Sequence, residues 1–170
     1  MSEIELVLLE AHTHTVEFEG EILRRGFWLY VWEVTPPDGN LLLYVGRTGD
    51  NSSPYAREPY RRMGQHLGDK ESVNMLRRKL EARDLDVAEC SYRFIARGPF
   101  FDEAPDKDMD LHKPPRDVIG ALEKALAEAL IAVGYELLNT VNWNAPLDEE
   151  LFAAVREAFG AELPRLLKAS

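Results

Sequence analysis

Five polar side chains along the chain combine the chemical groups that metal-assisted cleavage of a phosphodiester requires. They are Tyr30, Tyr44, Arg62, His66 and Glu128. A guanidinium can bind a phosphate through two hydrogen bonds, and an imidazole or a phenol can accept or relay a proton. A carboxylate supplies the oxygen ligand that Mg²⁺ takes in small number, because the ion keeps most of its waters. These residue types indicate hydrolysis of a nucleic acid.

The two tyrosines lie on segments that are predicted to pair as a hairpin. Phe27 to Thr35 and Asn40 to Gly46 are rich in β-branched and aromatic residues. The sequence Pro36-Pro37-Asp38-Gly39 between them favours a turn. Tyr30 and Tyr44 can therefore meet across neighbouring strands.

The arginine and the histidine are four residues apart, which places them on one face of a helix. Pro59 suits the first turn of that helix. Gly46 is predicted to mark a bulge or a strand end where the backbone of a ligand comes close, and Arg47 after it can reach a phosphate. Arg62 can hold a phosphate bidentately, and His66 can orient or relay a proton.

Glu128 lies inside a helix that is predicted from about Arg116 to Val133. Its apolar residues recur at helical spacing, at Ile119, Leu122, Leu126, Leu130 and Val133. An ideal helix places Glu128 roughly opposite this stripe. Glu123 lies nearer the stripe and remains the alternative carboxylate ligand.

The order of the remaining elements predicts a single mixed α/β domain (α+β) over residues 1–170. Strands come first and helices follow, with no repeats and no composition break that would mark a linker. The further expected segments are strands at Glu3–Glu10, 12–19 and Ala88–Arg97, helices at Ser72–Arg83 and Leu147–Leu167, and a loop over Gly98–Pro115.

Composition limits the classes of protein to which the chain can belong. The 170 residues and 19.3 kDa suit one domain with a proper core. The single Cys90 excludes an intrachain disulfide framework and favours an intracellular, cytoplasmic location. The sequence has no apolar run of the ~18 residues that a membrane helix needs, so no membrane partner is expected.

The charge of the chain is negative overall but positive in one segment. The formal net charge is −10, which opposes binding to a polyanion. Residues 57–83 hold eight cationic and four acidic side chains and so carry +4, which leaves −14 for the rest. A surface polarised in this way can steer nucleic acid to one face. Arg61 lies in this segment and is a candidate contact to the substrate, although such a run can equally be a solvated helix face.

The motifs, in their order, resemble those of the GIY-YIG nuclease superfamily. Trp28 stands in the place of the first glycine of that pattern. The matching segments are Trp28-Leu29-Tyr30, Tyr44-Val45-Gly46, the Arg-x-x-x-His of Arg62 and His66, Glu128 with Leu130-Ile131, and Asn139. The resemblance spans about residues 26–143, and residues 1–25 and 144–170 lie outside it.

The resemblance implies a central antiparallel sheet of about three strands flanked by helices. It also implies one Mg²⁺ or Mn²⁺ ion on Glu128, and a tyrosine, Tyr44 supported by Tyr30, that helps to deprotonate water. Arg62 would stabilise charge on the phosphate with His66 beside it, while Arg47, Arg61 and Asn139 would bind the substrate. The expected partner is nucleic acid, with DNA favoured.

Two other functions remain open at this point. A catalytically weak or inactive module of the same fold could bind nucleic acid or a protein partner. His12 and His14 share one face of a predicted strand and could bind a metal or a small molecule, although zinc sites require three or four ligands. Neither the substrate structure nor the oligomeric state follows from the sequence.

Overall fold

A computed structural model describes residues 6–168 and contains one sheet with helices on both faces. The strands are β1 (Phe27–Thr35), β2 (Leu42–Arg47), β3 (Ser91–Phe101) and β4 (Glu136–Leu137). The helices are α1 (Pro59–Leu67), α2 (Met75–Glu81), α3 (Met109–Ala132), α4 (Glu149–Glu162) and α5 (Arg165–Lys168), with short 3₁₀ turns at Gly20–Leu23 and Pro105–Lys107.

The sheet has four strands in the order β3-β1-β2-β4. β1 pairs antiparallel with both β2 and β3, and the two residues of β4 add a short parallel pairing to β2. The register places Tyr30 opposite Gly46 and Trp32 opposite Tyr44. The predicted hairpin and the predicted sheet flanked by helices are confirmed. The sequence did not predict β4, because a strand of two residues is too short to show an alternating pattern.

The central strand β1 is buried on both faces, so the protein is a three-layer sandwich. Leu29 and Val31 belong to one apolar cluster, which also contains residues of α3 and α4. Tyr30 and Trp32 belong to a second cluster on the opposite face, together with residues of α2. The near-continuous apolar sequence of β1 reflects this two-sided burial.

The predicted loop over residues 98–115 is mostly regular structure instead. β3 continues to Phe101, and α3 begins at Met109, so Pro114 and Pro115 lie inside the helix. The Asp108 carboxylate accepts hydrogen bonds from the Asp110 and Leu111 amides, which caps the helix upstream of the two prolines. A sequence reading that treats proline as a helix boundary places this start too late.

The N-terminal strands are not formed in the described part of their predicted range. Residues 6–19 contain no strand and are exposed throughout, and residues 3–5 lie outside the described part. Residues 17–19 line a pocket together with residues 94–98 of β3, at the edge of the sheet, but they do not pair with that strand. Phe18 packs its ring on Tyr60 of α1, with 5.2 Å between centroids. His12 and His14 are exposed, and no group of three candidate metal ligands occurs within residues 6–168.

The C-terminal helix forms as predicted but in two pieces. α4 begins at Glu149 behind its cap Asp148 and ends at Glu162, and Pro164 precedes α5. Proline cannot supply the amide that a continuing helix needs, which explains the break.

Across the described residues, no helix has the length and the apolar character needed to cross a membrane.

Truncation of the α3 core should destabilise the protein strongly. Leu126 is fully buried against the sheet, so Leu126→Ala is expected to lower the free energy of unfolding by roughly 2–5 kcal/mol. Leu111→Ala in the same helix is the matched control, since Leu111 is 54% exposed and its loss should matter little. Urea denaturation of both variants measures the difference, and equal losses would contradict this assignment of the core.

Candidate active site

An open cleft of about 540 Å³ lies at the C-terminal end of β2, between the α1–α2 layer and α3. It collects residues from six separate parts of the chain. Its lining includes Tyr30, Tyr44, Arg47, Arg62, His66 and Glu123.

The two tyrosines and the histidine form one contact group on the α1–α2 face of the sheet. The Tyr30 hydroxyl and Nε2 of His66 are 2.7 Å apart and share a hydrogen bond. The Tyr44 ring meets the same imidazole edge to face at 5.0 Å between centroids. Tyr44 is opposite Trp32 in the register, so the two tyrosines are diagonal neighbours and meet through His66.

Gly46 makes this arrangement possible. A Cβ at position 46 would lie 2.4–2.5 Å from the ring and hydroxyl of Tyr30, its partner across the strands. Such a distance is far inside van der Waals contact, so any other residue would displace the phenol. Gly46 lies inside β2 and its free space is taken by the Tyr30 ring, so the prediction that it marks a bulge or strand end approached by a ligand is wrong.

Burial keeps all three rings neutral at pH 7. Desolvation raises the pKa of Tyr30 far above its usual range and raises that of Tyr44 to about 12. Desolvation, assisted by the Arg62 charge, lowers the pKa of His66 to about 4. Nδ1 of His66 is buried and has no hydrogen-bond partner among the described residues.

Arg62 lies beside this group with its guanidinium partly committed. One terminal nitrogen donates to Oδ1 of Asp50 at 2.6 Å, and the other donates to Oε1 of Gln65 at 3.1 Å. Its Nε is buried without a partner within residues 6–168. A buried donor without an acceptor is costly, so this edge of the guanidinium suits an anionic ligand.

A buried ion pair between Arg47 and Glu123 forms the opposite wall. Nε of Arg47 donates to Oε2 of Glu123 at 3.0 Å, and the two side chains are only 8% and 14% exposed. Burial raises the pKa of Glu123 to about 7, although Arg47 acts in the opposite direction. The desolvation of the carboxylate therefore exceeds the benefit of its single cation.

Arg47 also organises the loop that follows β2. Its terminal nitrogens donate to the Gly49 carbonyl and to Oδ1 of Asn51, each at 2.5 Å. The guanidinium lies 4.4 Å from the centre of the Trp143 ring, a cation–π distance. Trp143 in turn packs on α3 at Gly120, where a Cβ would come within 2.3 Å of the indole.

Glu128 is not part of the cleft, which corrects the predicted metal position. Its side chain is 66% exposed and its nearest cation is Lys124, one helical turn away at 3.9 Å. Five residues separate Glu128 from Glu123, which rotates its side chain by roughly 140° around the helix. The carboxylate that faces the cleft is Glu123, the alternative left open by the sequence.

Two residues that were predicted to bind the substrate, Asn139 and Arg61, are placed differently: one is bonded to β2 and the other lies outside the cleft. Asn139 lines the cleft, but its amide is engaged by β2: Oδ1 accepts from the Val45 amide at 3.1 Å and Nδ2 donates to the Val45 carbonyl at 2.7 Å. Arg61 is exposed on α1 and lies outside the lining. Asp50 and Trp143 are lining residues that the sequence analysis missed, since each lies in a segment without regular periodicity.

Comparisons of the chain with protein-family models, with curated proteins and with solved structures return no match. The function must therefore be argued from the geometry of this cleft and from the motifs in the sequence.

The neutrality of His66 can be tested by its titration. NMR of ¹⁵N-labelled imidazoles should find His66 uncharged at pH 6, with its midpoint near pH 4 because burial opposes protonation. Since the unfolded residue titrates near 6.5, the unfolded state binds more protons below that value. The free energy of unfolding should therefore fall as the pH drops from about 6.5 to about 4.

A His66 midpoint near 6.5 would contradict this burial. Tyr30→Phe serves as a control, because it removes the hydroxyl partner but keeps the ring, and burial is the largest cause of the shift. The midpoint of the variant should stay well below 6.5.

Proposed function

We propose that the protein is a metal-dependent endonuclease of the GIY-YIG type, with Glu123 in place of Glu128 as its carboxylate ligand. The observation that supports this proposal is the convergence of Tyr30, Tyr44, Arg62 and His66 with one buried carboxylate in a single cleft. The two tyrosines, the arginine and the histidine come from the motifs that carry the sequence resemblance, in the same order, whereas the resemblance assigned the carboxylate to Glu128. Nucleic acid is the proposed partner, and the cytoplasm is the proposed location.

The donor set of the cleft fits a hard divalent cation. Oε2 of Glu123 accepts from Arg47, whereas Oε1 accepts no hydrogen bond from the described residues. Mg²⁺ is bound through one or two carboxylates and otherwise by water and phosphate oxygens, so a single glutamate is sufficient. Bound at Glu123, Mg²⁺ or Mn²⁺ would polarise the scissile phosphate as a Lewis acid.

The role of Arg62 is to bind the phosphate and stabilise its charge. The unpartnered Nε can donate to a phosphate oxygen without breaking the contact with Asp50. If the phosphate replaces Asp50, a terminal nitrogen becomes a second donor and the contact becomes bidentate. Charge that develops on the phosphate during cleavage would strengthen both bonds.

The role of Tyr44 is to hold the attacking water. Its hydroxyl belongs to the least buried ring of the contact group, 8% exposed against 2% for Tyr30. Burial raises its pKa to about 12, so at neutral pH the phenol stays protonated and is not available as a base. Cationic charge brought into the cleft with the substrate lowers this pKa, and Tyr30 and His66 support the ring in position.

A second candidate function is nucleic-acid or protein binding without catalysis. The cleft cations Arg47 and Arg62 already pair with Glu123 and Asp50, and burial raises rather than lowers the pKa of both tyrosines. Each of these features opposes turnover. They are compatible with a module that recognises phosphate and does not cleave it.

Replacement of the two glutamates distinguishes the ligand assignments. In a plasmid-nicking assay with Mn²⁺, Glu123→Gln should lower the rate at least about 100-fold, the scale of losing one transition-state interaction. Glu128→Gln in the same helix is the matched control and should nick at the wild-type rate, because Glu128 lies outside the cleft. Arg62→Ala should also lose at least about 100-fold.

Two results would change these conclusions. Nicking that survives Glu123→Gln and is lost with Glu128→Gln would overturn the site. Absence of nicking by the wild type on plasmid, single-stranded and branched substrates, with binding retained, would favour the second candidate function. Mn²⁺ titration followed by electron paramagnetic resonance gives an independent measure, since only Glu123→Gln should weaken ion binding.

A further inference from the structure

Several cations without carboxylate partners lie in one segment of the chain, and one of them, Lys79, lines the cleft. Many arginines of this acidic chain are paired with an aspartate or a glutamate, as Arg24, Arg25 and Arg93 are. Within residues 6–168, five cations of the segment 57–79 have no carboxylate within ion-pair distance. They are Arg57, Arg61, Lys70, Arg78 and Lys79.

Arg57 and a sixth such cation, Lys107, converge on one aromatic ring. The Arg57 guanidinium lies 4.8 Å from the centre of the Tyr55 ring, and Nζ of Lys107 lies 5.4 Å from it. Lys107 is exposed, and neither cation has an ion pair within the described part of the chain. The phenol therefore holds two positive charges beside each other without neutralising them.

The backbone that presents Lys107 is strained. Asp106 and Lys107 have φ values of 53° and 54°, in the left-handed region that side chains other than glycine rarely adopt. Neither residue is glycine, so their conformation costs free energy that the surrounding contacts must offset. Strain of this kind recurs at ligand-binding positions, and here it places an ammonium over an aromatic ring.

The acidic residues of this region are mostly neutralised by other contacts. Glu103 accepts from Arg25 at 2.6 Å and from the Ala56 amide at 2.8 Å, and Glu58 lies 3.7 Å from the same arginine. Asp106 and Asp108 flank Lys107, are exposed and have no cation within ion-pair distance in residues 6–168, but Asp108 accepts from two amides at the start of α3. The site therefore offers an anion two cations held on one ring, and not a surface of net positive charge.

The Tyr55 site adjoins the cleft but is not part of it. The Tyr55 carbonyl accepts a hydrogen bond from the Asp50 amide at 2.8 Å, and the Asp50 carboxylate is the partner of Arg62 in the cleft. Tyr55, Arg57 and Lys107 are absent from the cleft lining. A ligand that reaches both places must therefore carry more than one phosphate.

We propose that Arg57 and Lys107, held on Tyr55, bind backbone phosphates of a nucleic acid strand that continues out of the cleft. This inference rests on the proposed function, because it assigns a substrate class to the same site. The substrate is then a polynucleotide and not a small phosphodiester. The two cations contribute to binding the strand and take no part in the chemistry.

Fluorescence anisotropy with labelled 30-nucleotide dT and rU strands, in EDTA and over 50–200 mM salt, tests the binding. Each single-strand phosphate contributes a slope of about 0.7 in log affinity against log salt. The double variant Arg57→Ala/Lys107→Ala should therefore flatten the slope by about 1.4. A flatter slope with either strand supports the proposal, and the strand that shows it is the preferred polymer.

Matched variants distinguish an effect of this site from an effect of the overall charge of the protein. Lys124→Ala/Lys168→Ala removes the same charge from exposed positions elsewhere and should leave the slope unchanged. Arg57→Lys/Lys107→Arg keeps both charges and should retain most of the wild-type slope. If Arg57→Ala/Lys107→Ala shows the same salt dependence as Lys124→Ala/Lys168→Ala with both strands, the inference is overturned.

Hydrolysis of bis(p-nitrophenyl) phosphate with Mn²⁺ distinguishes the two proposals. This small diester occupies the cleft alone, so the alanine double variant should keep the wild-type kcat and KM. A lowered kcat would overturn the assignment of Arg57 and Lys107 to strand binding only. A wild type that binds strands with the expected slope but hydrolyses nothing would contradict the proposed activity and leave the strand site supported.

Discussion

The rest of the structure depends on the burial of β1 between two helical layers. Because successive side chains of a strand point to opposite faces, Leu29 and Val31 must pack towards α3 while Tyr30 packs towards α1 and α2. The same strand therefore fixes the core and delivers a phenol to the site. The hydrogen bond between Tyr30 and His66 then ties α1 to the sheet, and Gly46 leaves the space for the Tyr30 ring.

Burial also determines the electrostatics of the cleft. The tyrosines and the histidine are held neutral because desolvation exceeds every nearby charge, and the same effect raises the pKa of Glu123 despite its arginine. The free cleft is therefore a set of hydrogen-bonding groups with little net charge. Under the proposed function, a cation bound at Glu123 would favour the ionised forms of the glutamate and of the tyrosines, because a charge acts strongly in a low-dielectric site.

The sequence was sufficient for the parts of the site that local patterns determine. The hairpin, the helix at Pro59 and the four-residue spacing of Arg62 and His66 all follow from turn chemistry and periodicity. The choice between Glu123 and Glu128 could not be made in this way, because it depends on how α3 is rotated against the sheet. That rotation is set by the packing of Leu122 and Leu126 on β1 and β2, which is a tertiary contact. The start of α3 at Met109 was not predicted for a related reason. The helix continues through Pro114 and Pro115 because Asp108 caps it upstream in the folded chain.

An acidic protein can still bind a polyanion if its negative charges are paired internally and some of its positive charges are not. Arg24 and Arg25 pair with Asp102 and Glu103 near the Tyr55 site, so two of the carboxylates there have a cation beside them, while Asp106 and Asp108 have none within residues 6–168. Arg57 and Lys107 instead contact an aromatic ring, which holds a cation in place and preserves its charge. Net charge describes long-range steering, whereas contact depends on which charges remain unpaired at the surface. By that criterion, Arg57 and Lys107 support the proposal that a phosphate-bearing strand binds beside the cleft, despite the negative net charge of the chain.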